Sequence, residues 1–365
     1  MKNKILMFVH NLTGGGAERV AALWVNGFKE RGYDIEVVLS DISSPVTYKI
    51  PDDVPIHSTG VRNTNRILRS VLLRTVQVFK IRKILKKTNP DIVITVLPGW
   101  LPFLRMASVG INYKLVSTDH NSYERPPEEP MPRKQYREKF CYQKKADVVT
   151  ILTEADRKYI NNRLGNIRVL PNPLAFKPLD VVPPKKKIIL AAGRLDADYC
   201  KGFDVLIKAF AIVCKHTEWQ LQIAGTGSPE AMKKYVTLSE EMGVADKVVL
   251  LGFTNNIIDY YRDAAVFVLS SRYEGFGMVL IEAMSQGCAC VACDYKGRQS
   301  EIITTESEGV IVEPDNINSL ANGIKKLITD DTYRSIVQMN AIKRASFYKL
   351  DNIMNRWESI LSSLF

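Results

Sequence analysis

The chain has 365 residues, 46% of them hydrophobic and 24% charged, which is enough for two packed domains and well outside the range of a disordered chain. Fifty Lys and Arg against 39 Asp and Glu leave a formal charge of +11, which calls for an acidic partner: a nucleic acid, an anionic lipid surface or a phosphorylated substrate. No uninterrupted apolar run approaches the roughly eighteen residues of a membrane span. The first nine residues read as a strand rather than a signal peptide, and the six cysteines have no export signal to place them in an oxidising compartment, so a cytoplasmic protein is expected.

In chain order, an apolar strand at 4–10 runs into Gly14, Gly15 and Gly16, with Ala17, Glu18 and Arg19 behind them. Residues 17–31 carry apolar side chains at helical spacing, and 34–39 is a second strand. Strand, glycine turn, helix and strand open a doubly wound domain, and the helix start can receive an anion. The turn is not G-x-G-x-x-G and lacks the acidic residue that holds a dinucleotide ribose, so on its own it is equally a tight turn for packing. Residues 62–87 hold nine Lys and Arg (Arg62, Arg66, Arg69, Arg74, Lys80, Arg82, Lys83, Lys86 and Lys87) between apolar residues and no acid. One long amphipathic helix with a cationic face is expected there. Such a face suits an anionic bilayer or a lipid diphosphate, and a solvated helix face is the plain alternative. Nucleic acid is not expected, because no aromatic stacking platform accompanies the charge.

A strand at 91–97 precedes a Pro98-Gly99-Trp100 loop, and one at 114–118 ends in Asp119-His120-Asn121. His120 at a strand end can serve a sugar hydroxyl or simply the structure. A strand at 146–152 is followed by a helix that Thr153 is placed to cap. Residues 173–187 are rich in proline and lysine without periodicity and read as a domain linker.

The second half opens with a strand at 187–192, followed by Gly193-Arg194-Leu195 and then Lys201-Gly202. An Arg and a Lys converging at a strand end would neutralise a diphosphate, the one by a planar fork and the other by a point charge. Surface pairing with Asp196 or Asp198 is the alternative. Further strands end at Gly225 and Phe253. The strand at 264–269 leads into a turn containing Glu274, Gly275, Phe276 and Gly277, and a helix follows from Met278 to Ser285. That turn aims free N–H groups and a helix dipole at one point, a ready site for a phosphate, and its glycines admit a ligand close to the main chain. Glu282 lies eight residues after Glu274. On one helix that spacing would separate them by about 12 Å and about 80°. With Glu274 before the helix they can grip two ends of an extended ligand, and carboxylates beside a phosphate usually hold hydroxyls. Cys288, Cys290 and Cys293 have strand alternation and no matching His or Cys cluster, so buried thiols are favoured over metal ligands. Residues 316–365 read as helical.

Glu274-x7-Glu282 inside E-G-F-G-M-V-L-I-E-A-M resembles the signature of the retaining glycosyltransferases of family 4. The resemblance extends to Gly-Gly-Ala-Glu-Arg at 15–19, Val-Leu-Pro-Asn-Pro at 169–173, and Gly-Arg-Leu followed by Lys-Gly, although the loop before Lys201 is longer than the family's. It implies an α/β chain of the GT-B fold, two doubly wound Rossmann-like domains facing across a cleft. The first, 1–175, would bind the acceptor and carry a returning helix at about 350–365, with Trp357, Ile360 and Leu361 as its buried face; 176–186 would be the linker, and 187–349 would hold the donor. By the same resemblance Arg194 and Lys201 hold the diphosphate and Glu282 the ribose. Glu274 and the main chain of Gly275, Phe276, Gly277, Met278 and Val279 hold the donor sugar and phosphate, with Gly225 and Phe253 at neighbouring strand ends. His120, Gly15 and Gly16 complete the site. The implied activity moves a sugar from a nucleotide-diphosphate sugar, UDP first and GDP open, to a hydroxyl of a glycan or a polyprenyl-diphosphate-linked acceptor at the inner membrane face. No cofactor or metal is expected, because the only D-x-D pattern, Asp196-Ala197-Asp198, lies in the Arg/Lys loop. A nucleotide-sugar epimerase of the same architecture and a non-catalytic nucleotide-sugar-binding subunit remain the alternatives.

Overall fold

The computed structural model describes residues 2–40, 47–60 and 69–365, and it divides into two compact units, Met1–Ala175 with Leu350–Phe365, and Phe176–Lys349. In the first unit the order is β1 (Lys4–Val9), α1 (Gly16–Glu30), β2 (Asp34–Leu39), β3 (Ile56–Ser58), α2 (Arg69–Thr88), β4 (Ile92–Val96), α3 (Leu101–Ala107), β5 (Lys114–Thr118), α4 (Arg133–Arg137), β6 (Val148–Ile151), α5 (Glu154–Ile160) and β7 (Ile167–Val169). All strands pair in parallel in the order β3-β2-β1-β4-β5-β6-β7. A parallel sheet covered on both faces has no polar side, which is why β4 reads Ile-Val-Ile-Thr-Val with every residue buried. Thr153 caps α5, as its sequence position requires, by accepting from the Asp156 N–H.

The last helix, Leu350–Ser362, belongs to this unit. Its buried face is Ile353, Met354, Trp357, Ile360 and Leu361. Trp357 sets its ring edge against Trp24 at 5.0 Å and Phe28 at 5.5 Å, and Arg31 bonds Glu358 at 2.6 Å. Gly27 sits inside α1, where glycine costs about 1 kcal/mol against alanine. The reason is Met354, whose Cγ would lie 2.7 Å from a Cβ at position 27.

The cationic helix expected at 62–87 is described from Arg69 onward, so Arg62 and Arg66 fall outside the described residues. Its charge is not displayed uniformly. Lys80 donates to the Gly60 carbonyl at 2.6 Å, and Arg82 donates to Ala107 and Val109 carbonyls at 2.8 and 2.6 Å. Lys83, Lys86 and Lys87 stay exposed, beside a Phe79 that is 70% exposed.

The second unit runs β8 (Lys186–Ala192), α6 (Asp198–Lys201), α7 (Phe203–Cys214), β9 (Gln220–Ala224), α8 (Pro229–Glu241), β10 (Val248–Gly252), α9 (Ile257–Asp263), β11 (Ala264–Leu269), α10 (Met278–Ser285), β12 (Ala289–Cys293), β13 (Val310–Val312), α11 (Ile317–Thr329) and α12 (Asp331–Ala345); the terminal helix Leu350–Ser362 is α13. Its parallel order is β10-β9-β8-β11-β12-β13. The helical tail is three helices rather than one run, because the Asp330 side chain accepts from the Tyr333 N–H at 2.8 Å and starts α12 anew. Residues 176–186 are bonded to this unit and do not hang free. Leu179 N–H reaches the Ser285 carbonyl at 2.9 Å, Gln286 reaches the Lys177 carbonyl at 3.0 Å, and the Lys185 ammonium donates to the Tyr261 and Gln286 carbonyls at 2.9 and 2.8 Å.

Candidate active site

In each sheet the strand order reverses beside the first strand, between β1 and β4 and between β8 and β11, and the loops leaving the carboxyl ends at such a point form a crevice for ligands. In the second unit those loops are 193–202 and 270–277. The first is bonded to the strand beside it: Gly193 N–H goes to Ala224 O at 2.9 Å and Leu195 N–H to Thr226 O at 2.7 Å. A Cβ on Gly225 would lie 1.7 Å from the Gly193 carbonyl, so its missing side chain is what lets these loops close on each other. Gly202 has φ 60°, and a Cβ there would meet the Ser270 carbonyl at 2.3 Å. The two loops are then stitched by Arg272 N–H to Cys200 O at 2.8 Å and Ser270 Oγ to Lys201 O at 2.8 Å.

This stitching delivers the Lys201 ammonium to Glu274 Oε1 at 2.5 Å, with Ser271 Oγ donating to the same oxygen at 2.8 Å. Burial works against the lysine's charge, but the Glu274 carboxylate outweighs it and holds the ammonium above its ordinary value. Lys201 therefore pairs with Glu274, and Asp196 is occupied by the Ser228 N–H at 3.0 Å. The Arg194 side chain is exposed and makes no hydrogen bond or ion pair with a described residue. Arg272, inside the central motif, grips Asp204 with two bonds of 2.9 and 2.8 Å and Asp315 at 2.6 Å, which anchors the turn to the start of α7. Sequence reading passed over this arginine, and its only signal was the position between Ser271 and Tyr273.

Gly277, at φ 92°, starts α10 and offers no side-chain cap. The first N–H groups of that helix accordingly point at the turn without a capping side chain. Glu282 is 2% exposed on α10 and accepts from the Tyr261 hydroxyl at 3.3 Å. Gly275 lies in the turn. Phe276 turns its ring away against Tyr348 at 5.5 Å and leaves its main chain for the site, while Met278 and Val279 are part-exposed in the first turn of α10. Phe253, just past β10, is 67% exposed.

The remaining candidates are in the first unit. His120 follows β5; its Nδ1 lies 2.9 Å from Asn172 Oδ1 and its Nε2 3.3 Å from Thr118 Oγ1. Burial pushes it down to about 4 against the help of Asn172, so the imidazole is neutral at neutral pH. Gly15 has φ 153°, and Glu18 folds its carboxylate over it, 2.3 Å from where a Cβ would stand; Gly16 begins α1. Beneath the His120 loop lies a pair that the sequence did not signal. Asp119 and Lys139 meet at 3.1 Å with both side chains fully buried, and Lys139 also donates to the Asn121 and Ser122 carbonyls at 2.8 and 3.0 Å. Burial raises the Asp119 carboxyl and lowers the Lys139 ammonium despite their attraction.

Among the described residues no group of three or more His, Cys, Asp or Glu side chains could hold a metal ion. Cys214, Cys288, Cys290 and Cys293 are buried, whereas Cys141 is exposed and Cys200 half-buried. Burial pushes the Cys288 thiol to about 11 and Cys293 to about 12, and Cys288 Sγ lies 3.0 Å from the Tyr261 carbonyl.

Residues 177–344 match the model of the glycosyl transferases group 1, and residues 14–175 that of glycosyltransferase family 4. A Campylobacter jejuni N-acetylgalactosamine-N,N'-diacetylbacillosaminyl-diphospho-undecaprenol 4-alpha-N-acetylgalactosaminyltransferase is 26% identical over 94% of this chain and 95% of its own. Among solved structures, sucrose-phosphate synthase from Thermosynechococcus elongatus superposes with a TM-score of 0.84 at 20% identity over 100% of this chain and 99% of that one. Anabaena HepE in complex with UDP does so at 0.80 and 20%, over 99% and 100%. The likeness of these structures carries the fold, two doubly wound sheets of the GT-B kind. The two family models, which between them take up residues 14–175 and 177–344, place the chain among the family 4 glycosyltransferases.

Proposed function

We propose that the chain transfers a sugar from a UDP-sugar to a hydroxyl of a lipid-linked glycan, with retention at the anomeric carbon and without a metal ion. The observation that carries this reading is the Lys201–Glu274 pair at 2.5 Å beside the uncapped start of α10. In the reaction the bond from anomeric carbon to diphosphate oxygen breaks, the acceptor oxygen takes its place, and the acceptor's proton goes to the departing diphosphate. Charge therefore grows on the diphosphate. Lys201 gives one of its three N–H donors to Glu274 and keeps two for phosphate oxygens, and Arg194 brings an unengaged fork. Fixed donors of this kind lower a barrier by about 3 kcal/mol each, the electrostatic work a divalent ion would otherwise do. Glu282 accepts ribose hydroxyls, and the neutral His120 offers Nε2 to a donor-sugar hydroxyl while Nδ1 donates to Asn172. Membership of the family supports retention. UDP bound to HepE supports the nucleotide, and the diphospho-undecaprenol in the name of the Campylobacter relative supports the acceptor class. Exposed Lys83, Lys86 and Lys87 beside Phe79 support work at the cytoplasmic face of an anionic membrane. No helix of the described residues is long and apolar enough to cross one.

Thermal shift with UDP, GDP and ADP, each with Mg²⁺ and with EDTA, tests the donor side. A nucleotide at about one hundred times its dissociation constant stabilises the fold by about 2.7 kcal/mol. A UDP shift unchanged by EDTA is expected, and a shift that needs Mg²⁺ overturns the metal-free reading. Product analysis by NMR then tests the chemistry. A free epimer formed without acceptor is the epimerase outcome, and no turnover with any acceptor is the binding-subunit outcome.

A further inference from the structure

We propose that the second unit holds a binding site for a small amphipathic monoanion, a short hydrocarbon body with one carboxylate-like head, at the end of α7 away from the charged turn. The site goes beyond the transferase reading and does not depend on it. α7 and α11 pack against each other in the core of the second unit. Where both helices end there is an open pocket of about 410 Å³, inside the range of about 300–1,000 Å³ that holds small ligands. Its apolar wall is made by Ile212 and Val213 in the last turn of α7, Ile328 near the end of α11, and Trp219 ahead of β9. The indole is covered on one face by the Arg334 guanidinium, 5.4 Å from the ring centre. Ile212 is 59% exposed on a helix whose Leu206, Phe210 and Cys214 are buried, so the helix spends one large aliphatic side chain on the pocket rather than on the core.

Most polar atoms around the pocket are spent on the protein itself. Thr329 Oγ1 donates to the Lys325 carbonyl at 2.8 Å, and the Lys247 ammonium closes the end of α7 on the Lys215 and Thr217 carbonyls at 2.8 and 2.6 Å. At the rim Lys187 and Glu218 neutralise each other at 2.6 Å. Two lining groups are left over. Asn322 and Lys325 stand three residues apart on α11 and so share one face of it. Among the described residues neither side chain has a hydrogen-bond or ion-pair partner. An ammonium with three donors and an amide with two suit the two oxygens of one carboxylate, while the apolar wall suits a hydrocarbon body. The one unspent cation sets the ligand's charge. A dianion would need a second lysine, and the pocket's other lysine is held by Glu218; a cation would face Lys325. α7 starts directly after Lys201 and Gly202 and ends at this pocket, a helix of twelve residues and about 18 Å. A ligand here and a nucleotide at the charged turn can therefore be bound together.

The test is calorimetric titration of the full chain with decanoate, decanol and decyltrimethylammonium, each below its micellar concentration, with and without UDP. The wild type binds decanoate, binds decanol about tenfold more weakly, and does not bind the ammonium. Lys325→Met keeps the apolar stem and removes the charge, so it loses the preference for decanoate and leaves decanol unchanged. Asn322→Trp, at an exposed position of α11, sets an indole in the pocket and abolishes binding of both with the melting temperature kept. UDP leaves the decanoate affinity unaltered. No decanoate binding by the wild type, equal binding of all three amphiphiles, or wild-type decanoate binding by both variants overturns the site. Displacement of decanoate by UDP overturns its location. Binding to phosphatidylglycerol vesicles with none to monomeric decanoate makes the surface a membrane contact and overturns the site as well.

Discussion

The two reversal points of this chain share a topology and differ in chemistry. At the second, loops 193–202 and 270–277 bring charges together: Lys201 on Glu274, Arg272 on Asp204 and Asp315, with Arg194 left unengaged. At the first, the groups at the strand ends are a neutral His120 on Asn172, a His10 stacked on an indole, and hydroxyls of Thr118 and Thr95. Asp119 and Lys139, which form an ion pair there, are sealed in the interior. A doubly wound sheet therefore sets where a ligand goes, and the side chains at the strand ends set whether it is an anion or an array of hydroxyls.

Four experiments press on this difference, beginning with the largest effect. Trp357→Ala removes the indole that seats α13 on Trp24 and Phe28, and it should cost about 3–5 kcal/mol in urea unfolding. The UDP shift should survive in the folded fraction, since the proposed nucleotide groups are in the other unit, and a loss below about 1 kcal/mol would show that α13 does not support the first unit. Lys201→Met leaves Glu274 without its cation and should lower kcat/KM by about 10²–10³-fold. A fall of less than about tenfold would break the claim that charge is what the second reversal point supplies. The third is pH. His120 is lowered in the fold to about 4 from an ordinary 6.5, so between these values the unfolded chain takes up a proton that the fold refuses. Stability is thus full above the ordinary value and is lost as pH falls, by up to about 3 kcal/mol at pH 4. Asp119 acts in the opposite sense, so the difference between wild type and His120→Asn across pH 4 to 7 is the reading to take. A constant difference would mean His120 is not neutral in the fold. The smallest effect is Lys83→Glu with Lys86→Glu and Lys87→Glu. Binding to phosphatidylserine vesicles should weaken by about 1 kcal/mol per charge, with melting unchanged, and unaltered cosedimentation would remove the membrane from the picture.

What the sequence disclosed follows from what is local in it. Strands buried on both faces must be β-branched runs, so Ile92–Val96 and Ala264–Leu269 are legible as strands, and Glu274 and Glu282 sit within one stretch that carries its own glycines. Long-range partnership has no such record. Lys201 and Glu274 are 73 residues apart, and nothing in either neighbourhood names the other. Lys139 stands in a stretch of Arg, Lys and Glu that looks solvated, yet folding places it in the core on two carbonyls and Asp119. Residues 176–186 lack periodicity because their backbone is satisfied by α10 and Gln286 rather than by a helix or strand of their own.

The cysteines have a practical consequence. Four are buried, and Cys141 is open to solvent; Cys200 is half-shielded and adjoins Lys201. The native chain thus offers a fast-labelling handle on the first unit and a slower one beside the charged turn. Without any engineered residue, protection of Cys200 from alkylation would time the occupancy of the proposed nucleotide site, with Cys141 as the reference thiol.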